Sequence, residues 1–199
     1  MDIIEEATAF AKEIFAGDAS GHDFDHTMRV FRMAAYIAEK EGANIVTAQL
    51  ASLLHDVDDH KLSPETSEGK LRAAEFLHSH NICGEKATHI LRIIDTVSFS
   101  ANKGTPETIE GKCVQDADRL DALGAIGIAR TFAFGGSRGR AIHDPEGADK
   151  TTSIQHFYDK LLLLKDRMNT ETGRALAWQR HEYMCQFLEQ FYGEWAGNR

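Results

Sequence analysis

Histidine and aspartate are crowded into the short segment GHDFDHTMRV, which immediately precedes an amphipathic run. The segment places His22, Asp23, Asp25 and His26 within five positions. His26 also lies on the apolar stripe of the helix that follows, because apolar residues recur four, seven and eleven positions after it. An imidazole on an apolar face needs a hydrogen-bond partner or a ligand, so its partners must be sought elsewhere in the chain.

Two further polar clusters interrupt apolar patterns. In LLHDVDDHKL, an apolar run leads directly into His55 and Asp56, so a buried helix holds this pair. In VQDADRLDALGAIG, Asp116, Asp118 and Asp121 interrupt another largely apolar helix. Acidic side chains rarely enter a core unless a positive partner holds them there.

Three predicted helices therefore each bring imidazole or carboxylate groups inward. Taken alone, each cluster is more simply a structural His–Asp hydrogen bond, or a salt bridge of Arg119 with Asp116 or Asp121. All three in one helical chain favour a mixed nitrogen and oxygen ligand set for a divalent cation, with open positions for water and a phosphate oxygen. Such a set suits manganese, iron, cobalt, nickel or zinc better than a thiolate-selected metal. The candidate ligands are His26, His55, Asp56 and Asp118.

The hydrophobic period is helical nearly throughout, which predicts an all-α fold. The one long stretch without this period is residues 135–152, where Arg138 and Arg140 stand among glycines. This stretch is either a lid that closes over an anion or a surface loop. Helices are predicted over residues 3–16, 25–41, 45–57, 65–80, 84–96, about 106–123, 153–168 and 171–193. The helical pattern of the sixth continues past Gly124 and Gly127 to Phe134.

Composition sets the class of protein. With 199 residues, 42% of them hydrophobic, the chain predicts a single domain over 1–199, with a core at about 20–134 and C-terminal helices at about 153–193 packed on it. A net charge of −9 disfavours non-specific nucleic-acid binding, and no apolar run predicts a membrane span. The acidic N-terminus and three widely spaced cysteines predict a cytoplasmic protein without a secretory signal.

The order H…HD…D on successive helices resembles the HD-domain superfamily of metal-dependent phosphohydrolases. The resemblance is closer to a bacterial branch of small HD proteins, whose members carry HD before the first ligand, then LLHD, EGKxVQDADRLDAxGAIGIAR and a late HFYxKLLxL. It covers residues 20–190, and QDADRLDA is its most specific part. The resemblance implies an HD-domain helical fold with the metal site between core helices. The implied metal ligands are again His26, His55, Asp56 and Asp118.

The resemblance also implies a catalytic residue. In several HD phosphohydrolases, a carboxylate three residues after the HD aspartate orients or deprotonates the attacking water, which implies Asp59 here. Many relatives have glutamate at that position, and the alternative for Asp59 is an exposed carboxylate at a helix end. Manganese is the favoured ion, with nickel, cobalt, iron, zinc and magnesium as alternatives.

Phosphate groups beyond the metal require cations of their own. Arg29 and Lys61 are the candidates for substrate binding, although Arg29 is equally placed to be a surface residue. His22 and Asp23 either line the pocket or hold His26 in its tautomer.

The activity that the resemblance implies is nucleotide pyrophosphohydrolysis, the cleavage of a nucleoside triphosphate to monophosphate and pyrophosphate. The alternatives are a 5′-nucleotidase or phosphodiesterase that uses the same metal set, and a regulatory module that senses a metal or nucleotide without turnover. The partner expected in each case is a small-molecule nucleotide, with neither nucleic acid nor membrane.

Overall fold

The structure, a computed structural model, describes residues 2–16, 23–59, 64–97 and 104–199. No β-strand occurs within those ranges, and the all-α prediction is confirmed. A 3₁₀ helix, Leu161–Arg167, joins the last two α-helices. The α-helices are α1 Ile3–Ile14, α2 Phe24–Glu41, α3 Ile45–Leu54, α4 Pro64–Ser67, α5 Leu71–Ser79, α6 Gly84–Val97, α7 Ile109–Asp121, α8 Gly124–Ser137, α9 Ser153–Asp159 and α10 Glu171–Trp195.

Two of the helices expected from the sequence are divided by residues in the left-handed backbone region. The helix expected over 65–80 breaks into α4 and α5, because Gly69 and Lys70 have φ values of 81° and 54°. The helical pattern expected from about 106 through Leu123 and on to Phe134 is divided into α7 and α8 at Gly124, where φ is 71°. These backbone angles do not fit an α-helix, so each helix ends before them.

Two other expected helices end early. The helix expected over 45–57 ends at Leu54, and residues 55–58 continue as a turn. The helix expected over 153–168 ends as α9 at Asp159 and gives way to the 3₁₀ helix. The first of these differences matters for the site, because the turn carries the HD pair.

The chain forms two compact units, Met1–Asp118 and Arg119–Arg199. The single domain expected over 1–199 stays a prediction. In the first unit, α3 packs against α1, α2 and α6. Every residue over 51–58 is buried, and Leu50, Leu53 and Leu54 have no exposed surface. Each of these leucines contributes about 1.5–3 kcal/mol through burial. The core of this unit therefore leads directly into the turn.

In the second unit, α10 packs against α8 and the 3₁₀ helix, and α9 packs against the same two elements. The buried face of α10 includes Ala177, Met184 and Leu188. None of the helices in the described part of the chain combines the length and hydropathy that a membrane crossing requires.

Candidate metal centre

The HD pair lies on a buried turn at the end of α3. His55 directly follows the last helical residue and keeps helical angles, with φ −64° and ψ −35°. His55 and Asp56 are 2% and 5% exposed, and the amide of Asp59 donates to the carbonyl of Asp56 at 2.9 Å. The buried apolar helix and this hydrogen bond across the turn together fix the backbone positions of His55 and Asp56.

A backbone carbonyl orients the ring of His55. Its Nδ1 lies 2.7 Å from the carbonyl oxygen of Ser52, which can only accept, so Nδ1 carries the proton. In the neutral ring, Nε2 is then the atom with a free lone pair, the form that ligates metals. Nε2 is fully buried and, without a proton, makes no hydrogen bond to the carboxylate oxygen that it faces, Oδ2 of Asp56 at 3.1 Å. This buried nitrogen fits a divalent metal.

His26 reaches the same place from α2. The side chain of Asp23 caps this helix, since its Oδ1 accepts from the amide of His26 at 2.7 Å. His26 is then 1% exposed on the helix face that also buries Val30. Its ring centroid lies 5.5 Å from that of His55. The cap and the apolar face therefore bring the second imidazole against the first.

Asp118, from α7, supplies the third side chain. Its Oδ1 lies 3.4 Å from Nε2 of His26, and its side chain is 19% exposed, more than that of either histidine. One ligand atom each of His26, His55 and Asp118 lies within 4.8 Å of the other two, an arrangement that could hold a metal ion. The greater exposure of Asp118 marks the side of the cluster nearest to solvent.

Asp56 contacts both imidazoles. Its Oδ2 lies 3.1 Å from Nε2 of His55 and 3.6 Å from Nε2 of His26. Burial opposes protonation of His55, but the charge of Asp56, its contact with the ring and the charge of Asp118 outweigh burial and raise the pKa of His55. The cluster is thus a strongly negative environment, suited to a positive charge in the protein interior.

Some of the other predicted site residues lie on the same turn or helix as the clustered side chains. Asp59 is half-buried at the end of the HD turn, and Arg29 is half-buried on α2, three residues after His26. Asp23 is the N-cap of α2. His22 and Lys61 lie outside the described residues. The assignments of all these residues remain proposals.

The remaining aspartates of the QDADRLDA block are also buried, as their positions in the apolar pattern suggested. Asp121 Oδ2 lies 2.6 Å from Nη1 of Arg130, a partner that is not expected from the sequence. Arg119 donates from Nη1 to the carbonyl of Arg167. Arg130 is nine residues from Asp121 and lies beyond the helix break, so the local helical spacing contained no signal for this pair.

Comparison with known proteins fits this geometry. The profile of the HD domain matches residues 23–123, which include all four candidate ligands. The chain belongs to the HD-domain family. The domain is that of metal-dependent phosphohydrolases, and HD domains bind divalent metals. The family and the enzyme class implied by the sequence motifs are thereby confirmed.

Two relatives of this HD protein cover nearly its whole length, and one of them is similar both in sequence and in its crystal structure. The Bacillus subtilis protein YpgQ is 41% identical over 190 residues, which cover 94% of this chain and 90% of YpgQ. The crystal structure of an HD-superfamily hydrolase from Bacillus thuringiensis has a TM-score of 0.83 and 48% identity, covering 97% of this chain and 96% of that one. The crystal structure of YpgQ in complex with ADP has a TM-score of 0.82 and 37% identity, with coverage of 96% and 94%.

Ion binding is expected to stabilise the HD protein, because the candidate ligands come from α2, from α7 and from the turn that follows α3. Saturating Mn²⁺ should raise the free energy of unfolding by about 2–4 kcal/mol at free-ion concentrations of 100 to 1,000 times the Kd. Thermal unfolding of metal-stripped protein, with and without Mn²⁺, measures this shift, and excess chelator should reverse it. An unchanged unfolding midpoint at saturating Mn²⁺ would contradict the expectation.

Proposed function

We propose that this HD protein is a nucleotide pyrophosphohydrolase, which cleaves a nucleoside triphosphate to the monophosphate and pyrophosphate. The observation that carries the proposal is the cluster of two buried histidines, His26 and His55, with the partly exposed Asp118 within an HD domain. The relative YpgQ has been crystallised in complex with ADP, which supports a nucleotide as the substrate of this chain.

The four clustered side chains are proposed as the ligands of one divalent ion, for which we favour manganese. When bound, such an ion lowers the pKa of a water molecule and polarises a phosphoryl oxygen. His55 contributes Nε2 because the Ser52 carbonyl holds the proton on Nδ1. Asp56 and Asp118 supply the negative charge that makes a buried cation favourable. The proposed ligands are His26, His55, Asp56 and Asp118.

Asp59 is proposed to orient the attacking water and to accept its proton. The oxygen of the water forms a bond to the α-phosphorus, and the bond from that phosphorus to the α–β bridging oxygen breaks. Pyrophosphate leaves with the bridging oxygen, and the proton of the water passes to the carboxylate of Asp59. The hydrogen bond from its amide to Asp56 fixes the backbone of Asp59 relative to the proposed ligands.

The phosphate tail requires positive charge, since the chain as a whole carries a net charge of −9. Arg29 is proposed to contact it, because the position three residues after His26 places it on the same side of α2. A guanidinium group can bind phosphate oxygens in a bidentate manner. Lys61 and His22 are proposed as further contacts, and Asp23 as the residue that holds the start of α2 and thereby His26.

The bond that breaks decides between this function and its alternatives. Purified protein with Mn²⁺ should convert a nucleoside triphosphate to monophosphate and pyrophosphate, with no diphosphate intermediate. Anion-exchange separation of the products, without added pyrophosphatase, tests this directly. In ¹⁸O-labelled water, the label should enter the monophosphate, because the water attacks the α-phosphorus.

Two results would count against the proposal. Early release of orthophosphate, or hydrolysis of monophosphates alone, would indicate a 5′-nucleotidase in its place. Nucleotide binding without any turnover in the presence of Mn²⁺ would indicate a sensing module. Metal-stripped protein assayed in excess chelator is the matched control, and it should show no hydrolysis.

A further inference from the structure

Asp58 is a fully buried carboxylate that the proposed mechanism does not use. It is 0% exposed, and both of its oxygens accept hydrogen bonds from distant backbone amides. Oδ1 accepts from the amide of Arg72 at 3.2 Å, and Oδ2 accepts from the amide of Ala73 at 3.0 Å. Burying a charge is costly unless hydrogen bonds compensate it, so these two bonds are what allow the carboxylate to stay in the interior.

These two amides belong to the first turn of α5, whose N-cap residue provides no capping side chain. Lys70, the residue before α5, is in the left-handed region and makes no capping hydrogen bond with its side chain. The first amides of a helix need acceptors from outside it, and a negative charge there is favourable because of the helix dipole. Asp58 therefore caps α5 from 14 and 15 positions earlier in the chain.

The same carboxylate ends the HD turn. His55 and Asp56, at the start of the turn, belong to the candidate metal centre, whereas Asp58, at its end, faces α5. The turn is thus held by α3 on one side and by α5 on the other. Helix α5 is itself well packed, since it contacts α6 and its Phe76 stacks on Phe10 with ring centroids 5.0 Å apart.

We propose that Asp58 is a positioning residue for the metal centre. By fastening the HD turn to the first turn of α5, it holds His55 and Asp56 at the distances that a common ion requires. The inference rests on the proposed ligand set and is independent of which phosphate bond is cleaved. A carboxylate that only stabilised the fold would lower the unfolding midpoint and leave the affinity for the ion unchanged.

The test is the Mn²⁺ affinity of the Asp58→Asn variant of the full chain. Asparagine keeps the size of the side chain but has only one acceptor oxygen. Its NH₂ group, a donor, would face one of the two backbone N–H groups, so one of the two hydrogen bonds would be lost. The Kd for Mn²⁺, measured on metal-stripped protein from the electron paramagnetic resonance signal of the free ion, should rise by about 10- to 100-fold, the usual effect of losing a group that orients metal ligands.

The matched control is Phe76→Leu, which loosens the packing of the same helix α5 without touching its cap. This variant should lose thermal stability and keep the Mn²⁺ affinity of the unaltered protein. If Asp58→Asn does not fold, Asp58→Ser is measured in its place, because serine keeps one short acceptor oxygen.

An unchanged Kd in the Asp58 variant, or an equal loss of affinity in Phe76→Leu, would overturn the proposal. The measurement involves no nucleotide, so a failure of triphosphate hydrolysis would leave its result intact.

Discussion

We expect the His55→Ala variant to purify without a bound divalent ion and to show no hydrolysis above background. The imidazole is buried, its Nδ1 is committed to the Ser52 carbonyl, and its Nε2 is directed at the cluster. Its loss would remove a nitrogen ligand that no other described side chain of the cluster can replace. Because loss of a supporting group alone costs about 10- to 100-fold in affinity, loss of a ligand should cost more than that.

Elemental analysis of the purified variant, together with a Mn²⁺ titration, measures this loss. Asp56→Ala should behave in the same way, since its carboxylate contacts both imidazoles. His89→Ala is the control, because His89 lies on α6 against Glu110 and outside the cluster. A His55→Ala protein that retained its ion would remove His55 from the ligand set, even if its activity were lost.

The Asp59→Asn variant should separate catalysis from metal binding. Asparagine keeps the size and polarity of the side chain but cannot accept the proton of the attacking water. Turnover should fall by roughly 10²–10⁴-fold, the range typical of general acid–base catalysis. The metal content and the unfolding midpoint should stay those of the unaltered protein, because Asp59 is not among the proposed ligands.

Single-turnover rates at saturating Mn²⁺ and triphosphate are the appropriate measurement, together with elemental analysis of the same preparation. Asp59→Glu is the informative companion, since glutamate restores a carboxylate and should retain much of the activity. Near-normal turnover of Asp59→Asn would exclude Asp59 as the base and leave the base unassigned.

The helical class and the cluster followed from local patterns in the sequence. His26, His55 and Asp118 each interrupt an apolar helical period, and a polar group at a buried helical position must find a partner inside the protein. Such interruptions identify the residues that converge. The tautomer of His55 cannot be predicted in this way, because it is set by the backbone carbonyl of Ser52. Every residue has a backbone carbonyl, so the sequence does not show which one accepts from the ring.

The capping of α5 by Asp58 cannot be predicted from the sequence. Asp58 stands beside Asp59 in the sequence, and both appear equally suited to a polar turn. Only the packing of α5 assigns one of them to the interior. Likewise, the break at Gly69 and Lys70 was hidden within an otherwise helical pattern, since an isolated glycine does not by itself end a helix.

The cap of α2 has a geometric consequence for the spacing of its residues. A helix turns by about 100° per residue, so the position at which it starts sets the direction of every later side chain. Asp23 sets that start by accepting from the amide of His26, three residues later. Inserting one residue between them would point the imidazole away from the other ligands, although no ligand would have been removed. The number of residues between Asp23 and His26 is therefore as constrained as the identity of these two residues. Insertions or deletions between them should be tolerated less well than substitutions of the exposed Asp25.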